Sequence, residues 1–109
     1  MTISDTGVVD MIGYHEASQV CTLGITDHLD WTKSDEHLSI LQDKLNAYIN
    51  YIALGNAAEY CQPHTVRMYK ILIYAKHHQP IIAEQFMHIF QVQLSEIGEK
   101  IVLEVKEGE

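Results

Sequence analysis

The spacing of apolar residues changes period along the chain, and each change marks an element. Val20-Cys21-Thr22-Leu23-Gly24-Ile25-Thr26 alternates, with Cys21, Leu23 and Ile25 on one face and Val20, Thr22, Gly24 and Thr26 on the other. Period two with β-branched residues predicts a half-buried strand. Val8 to Ile12 reads as a shorter strand before it, and Gly13 to Ser18 as the turn of an antiparallel hairpin. Gly24 marks a bulge or a close backbone approach. From Ser34 to Leu54 the period becomes helical. Leu38, Leu41, Leu45, Tyr48 and Ile52 recur at three and four residues, with Ile49 beside them. Thr32 and Ser34 are candidate N-caps, Asp35 and Glu36 suit the first turn, and Gly55 suits the position just past the end. Asp43, Lys44, Asn46 and Asn50 fall on the other side, while Ile40, Ala47, Tyr51 and Leu54 make a second, narrower apolar stripe.

Asn56 to His64 reads as a loop. Thr65 to Lys76 is the longest strand candidate, and both its faces are apolar in the middle, which makes it a central strand. Pro80 opens a second helix with the stripe Ile82, Phe86, Ile89, Phe90 and Ile97, ended by Gly98. Lys100 to Lys106 alternates again, with Ile101, Leu103 and Val105 inward. The order ββαβαβ predicts an α+β two-layer sandwich, a four-stranded mixed sheet with two helices on one face. Right-handed crossovers, in a strand order that folds back on itself, are expected to put both helices on that side. One domain over residues 1–109 is expected, with 1–7 and 107–109 frayed. The uncovered sheet face keeps apolar residues, and the helix has its second stripe. Together they predict a homodimer formed by sheet or helix packing, with Ile40, Tyr51 and Leu54 as interface candidates.

Composition narrows the function. The chain has 109 residues, enough for one core. Its 7 Lys+Arg against 15 Asp+Glu give a net charge of −8, and Arg67 is its single arginine. Binding to a nucleic-acid backbone needs clustered cations, so no nucleic-acid partner is expected. An acidic surface is repelled by anionic membranes, and no apolar run approaches the roughly 20 residues of a span, so no membrane partner is expected either. Met1 to Gly7 lacks a signal-peptide pattern, and Cys21 and Cys61 form no disulfide framework. The expected location is cytoplasmic, with reduced thiols. The acid excess points to a basic protein as the outside partner, reached with electrostatic steering.

The segment Asp27-His28-Leu29-Asp30-Trp31 precedes His37-Leu38 and then Leu41-Gln42-Asp43-Lys44-Leu45-Asn46-Ala47-Tyr48. These residues resemble the shared core of a small family of uncharacterised bacterial proteins, in which a D-H-L-x-W segment leads into an L-Q-x-K-L-N-x-Y helix. The resemblance covers residues 8 to 55 best. It implies a bacterial origin and an α+β domain, and it transfers no catalytic residue.

Read for chemistry, Asp27, His28 and Asp30 are the candidate acid/base or ligand group, at a strand end beside a helix N-terminus, with His37 or His64 as helpers. The competing reading has the aspartates accepting backbone N–H bonds in a turn, with Leu29 and Trp31 in the core. Gln42, Asn46 and Asn50, four residues apart, form a polar strip that either reads a partner or is solvated. Seven histidines are scattered without metal-ligand spacing, so neither a metal nor a cofactor is expected. No phosphate-binding loop or nucleophile elbow occurs. The expected function is a non-catalytic interaction module that self-associates and antagonises a basic partner in the manner of an immunity protein. The alternative is a small-ligand binder or enzyme built on Asp27, His28 and Asp30.

Overall fold

The structure, a computed structural model, describes residues 3–96 and 100–108. Its elements are β1 (Met11–His15), β2 (Val20–Asp27), α1 (Ser34–Ala53), α2 (Asn56–Cys61), β3 (Met68–Ala75), α3 (Ile81–Leu94) and β4 (Ile101–Glu107). They form an α+β fold around one four-stranded mixed sheet in the order β1-β2-β3-β4. β1 and β2 are antiparallel, whereas β2–β3 and β3–β4 are parallel.

Alternation assigns the faces. The register pairs Cys21 with Tyr69, Leu23 with Ile71 and Ile25 with Ile73, and these in turn with Ile101, Leu103 and Val105. Cys21, Leu23, Ile25, Ile71 and Ile73 are each at most 1% exposed. They join Leu41, Leu45, Tyr48 and Ile52 of α1 and Phe90 and Leu94 of α3 in one core. Both long helices therefore cover the same sheet face. The strand order does not fold back, so the condition under which the two helices were expected to share a side is not the one the chain uses. The crossovers β2-to-β3 and β3-to-β4 step in one direction, and right-handed connections stepping the same way land on one side. The other face is open, with Met11 and Tyr74 44% and 39% exposed. There the Met11 side chain lies across Gly24, where an added Cβ would meet Met11 Cε at 2.5 Å. Gly24 is thus the close approach and not a bulge, since the β1–β2 register runs through it unbroken.

Several local expectations change. The stretch expected as a loop contains the six-residue helix α2, entered through Gly55 at φ 86°, which also closes α1. Thr32 and Ser34 do not cap α1: the helix starts after Lys33 without a side-chain cap, and Ser34 Oγ donates to the Trp31 carbonyl. On α3 the inward residues are Ala83, Phe90 and Leu94, while Ile82 and Ile89 are 43% and 58% exposed. Ile97 and Gly98 lie outside the described residues. In the N-terminal stretch expected to be frayed, Ile3 is 1% exposed within the core. At the other end, Glu107 closes β4, and Gly108 N–H still donates to the Ala75 carbonyl.

Candidate functional site

Two buried contacts, a lysine–carboxylate ion pair and a histidine–carboxylate hydrogen bond, tie α1 to the rest of the chain. Lys44, fully buried on the sheet side of α1, donates to the Val8 carbonyl at 2.9 Å, to Asp10 Oδ1 at 3.0 Å and to the Asp5 carbonyl. All three ammonium donors thus have acceptors, a necessity for a charge removed from water. Asp10 Oδ2 accepts from Thr26 N–H and Thr26 Oγ1. Beside it Tyr48 hydroxyl donates to the Gly24 carbonyl at 2.6 Å and accepts from Asp10 N–H at 2.7 Å. Burial pushes the Tyr48 hydroxyl up to about 12. The sequence reading put Lys44 on the solvent side; the structure puts it in the core.

The second pair sits where β2 ends. Asp27 is 2% exposed, and its Oδ2 lies 2.6 Å from His37 Nε2. Its Oδ1 accepts Leu29 N–H, two residues on. His37 Nδ1 lies 2.9 Å from the Asp30 carbonyl, which can only accept. Trp31 stacks on the imidazole, ring centres 3.6 Å apart and 18° from parallel. Both nitrogens of His37 are engaged and the residue is 2% exposed, so the ring presents no lone pair to a substrate. This arrangement clamps the loop over residues 28–33 onto the first turn of α1.

The three residues singled out for chemistry do not converge. Asp27 is buried against His37, whereas the next residue, His28, is exposed. Asp30 is exposed, and its carboxylate accepts Thr32 N–H at 3.1 Å, a bond that holds its carboxyl below the usual range. His64 stacks on Tyr14, at the other end of the sheet from Asp27. Asp27 and His28 do line a cleft of about 390 Å³ with Thr26, Tyr74, Lys76 and Glu107. Among the described residues, no group of three or more His, Cys, Asp or Glu is placed to hold a metal. Gln42, Asn46 and Asn50 are all exposed along α1. Ile40 and Tyr51 are half-buried against the core, and Leu54 is 78% exposed. Cys21 and Cys61 are free and buried together, and burial pushes the Cys21 thiol up to about 12.

Sequence reasoning missed a third place, between α3 and β4. Gln91 uses its side-chain amide as a strand would: Nε2 donates to the Ile101 carbonyl at 3.1 Å and Oε1 accepts Leu103 N–H at 2.7 Å. Next to it runs a cleft of about 690 Å³ lined by Gln79, Glu84, Met87, His88, Leu103, Val105 and Glu107, among others. Glu107 accepts Gln79 N–H at 2.7 Å and faces His78 Nδ1 at 3.1 Å, and the Gln79 bond holds its carboxyl below the usual range.

Fold and clusters together define a small two-layer α+β protein whose buried charges are spent on holding the chain together. No helix among the described residues is long and apolar enough to cross a membrane. The chain belongs to DUF6572, a family of unknown function whose family model matches residues 1–107. No curated protein and no solved structure matches the chain.

Proposed function

We propose that this protein is a non-catalytic interaction module that pairs with a second copy of itself through the outer face of α3. The makeup of that helix carries the reading. Ile81, Ile82, Ile89 and Val92 are 71%, 43%, 58% and 53% exposed. Gln85, His88 and Gln93 interrupt them, and Glu84 is the single formally charged residue of the 14 in α3. Two chains of net charge −8 repel each other, so their contact belongs where charge is scarce and apolar surface is already exposed. Of the interface candidates on α1, Leu54 is largely available to solvent, whereas Ile40 and Tyr51 already spend much of their surface on the core.

The same acidity makes the outside partner a basic protein, which this chain antagonises as an immunity protein does. A cytoplasmic, bacterial setting belongs to this reading, as do the D-H-L-x-W and L-Q-x-K-L-N-x-Y segments as the family's signature. The buried roles of Asp27, His37 and Lys44 support the signature as a stability element. The alternative reading, ligand binding or catalysis by Asp27, His28 and Asp30, gains less support, because those carboxylates are satisfied internally.

Sedimentation of the untagged protein at micromolar concentration tests self-association. The expected mass is that of two chains, falling to one for Ile89→Lys. A single-chain mass for the parent protein overturns it. For the outside partner, binding that weakens sharply with added salt is expected, and binding indifferent to ionic strength removes the steering argument.

A further inference from the structure

We infer that the free edge of β4 beside α3 docks an extended, basic peptide segment, which enters as a fifth strand over Leu103 to Glu107. The inference builds on the interaction-module reading and names the partner's shape, on the side of α3 that borders β4, with Glu84 and His88 on the ridge between the cleft and the outer apolar face.

Strand parity decides which backbone groups of β4 are free. Tyr69 N–H donates to the Lys100 carbonyl and Gly108 N–H to the Ala75 carbonyl, so the even-numbered residues of β4 turn their backbone groups to β3. The odd-numbered residues turn theirs outward. Gln91 confirms this, because it reaches the Ile101 carbonyl and Leu103 N–H from the outer side. Beyond those two groups the edge continues with the Leu103 carbonyl, Val105 N–H, the Val105 carbonyl and Glu107 N–H. Among the described residues, no side chain does for these four what Gln91 does for its two. Alternating donors and acceptors at strand spacing are matched by another strand.

The cleft along this edge is built to hold something. Its volume is about 690 Å³, with Leu103 and Val105 on one wall and Glu84, Met87 and His88 of α3 on the other. At its end Gln79 is 5% exposed, yet its Nε2 has no hydrogen-bond partner. The backbone of Gln79 is fixed through its N–H to Glu107, so its place in the cleft wall is set. A buried amide donor without an acceptor is destabilising, and the covered Gln79 amide gains one by turning toward a peptide carbonyl laid along β4. Charge selects the kind of peptide. Glu84 and Glu107 line the cleft against Lys106 as its one lysine, in a chain of net charge −8, so cationic side chains are favoured.

The experiment uses the full chain, isotope-labelled, titrated with a terminally blocked pentapeptide of alternating lysine and valine. An alternating glutamate and valine peptide and an N-methylated lysine peptide serve as controls. The lysine peptide is expected to shift the Val105 and Glu107 amides and the Gln79 side-chain amide, and to slow exchange at Val105. The two controls are expected to bind at least tenfold more weakly. Val105→Pro deletes an N–H that the sheet does not use, and proline is tolerated on an edge strand whose N–H faces outward. It is expected to abolish the shifts with the fold intact by circular dichroism. Gln79→Leu is a second variant that removes the orphan donor, and it is expected to weaken binding at least fivefold without lowering the melting temperature. No shift on β4 at millimolar peptide, equal binding of the acidic peptide, or unchanged binding by both variants overturns the inference. So does protection of Val105 that grows with protein concentration alone, which makes a second copy the occupant. Sedimentation reads the α3 contact independently, so the two ideas fail separately.

Discussion

Replacing Lys44 by methionine keeps a straight side chain of similar length and removes a charge that is 0% exposed. Three acceptors lose their donor at once: the Asp5 and Val8 carbonyls and Asp10 Oδ1. The carbonyls matter less, at about 1 kcal/mol each for a lost hydrogen bond. The larger effect is Asp10, whose side chain is 1% exposed and would keep a carboxylate with no counter-charge. Removing one partner of a buried pair costs about 3–5 kcal/mol. A domain of this size has about 5–15 kcal/mol in total, so Lys44→Met is expected to consume roughly a fifth of it or more. Urea denaturation followed by far-ultraviolet circular dichroism measures the loss. The Asp10→Asn/Lys44→Met double variant leaves no buried charge at this site, and it is expected to lose at least about 1 kcal/mol less than the sum of the single variants. Hydrogen exchange is expected to quicken first at residues 5–10, which Lys44 holds against α1. A loss below about 1 kcal/mol for Lys44→Met, or strict additivity in the cycle, refutes the reasoning.

Three further outcomes are expected. His37→Leu leaves the Asp27 carboxylate buried beside an apolar group and should cost about 3–5 kcal/mol, with Asp27→Asn in the same chain recovering part of it in urea melts; equal stability of the parent and His37→Leu removes the clamp. Gly24→Ala meets Met11 Cβ at 3.2 Å as well as Cε, so it should cost about 1 kcal/mol in the parent and less in Met11→Ala, which removes Cε and keeps Cβ, and an equal cost in both backgrounds contradicts the Cε contact. The Glu107 carboxyl sits below its ordinary range because of Gln79 N–H; its contribution is therefore full above the unfolded value and lost as pH falls through the lower folded value. The melting-temperature gap between parent and Glu107→Gln should be widest near neutral pH and close through the carboxylate range towards acid, and a gap that widens there contradicts the sign.

Periodicity reveals an element when one face is buried and the other is wet. β2 and the sheet side of α1 meet that condition, so Cys21, Leu23, Ile25, Leu41, Leu45 and Tyr48 were legible as core. α3 does not meet it. Ile82–Phe86–Ile89 and Ala83–Phe90–Leu94 are both apolar lines at helical spacing, and only the packing against the sheet selects the second. The helix α2 was hidden because six residues between Gly55 and Pro63 are too few to show a period. Lys44 and His37 both lie on the buried stripe with Leu41 and Tyr48, a signal the sequence did carry. Their polarity argued the other way, and their partners Asp10 and Asp27 are 34 and 10 residues distant. The Gln91 contact to β4 depends on how α3 lies over the sheet edge, which no local pattern encodes.

The hold of Lys44 on the Asp5 carbonyl spans 39 residues of chain. On the ribosome, the early stretch around Ile3 and Asp5 is therefore made well before the helix that shelters it. Until α1 has been translated, that stretch has nothing to dock on and must wait in water. A chain stalled between the two is left with Ile3 and β2 uncovered, the kind of transiently exposed apolar surface that invites aggregation.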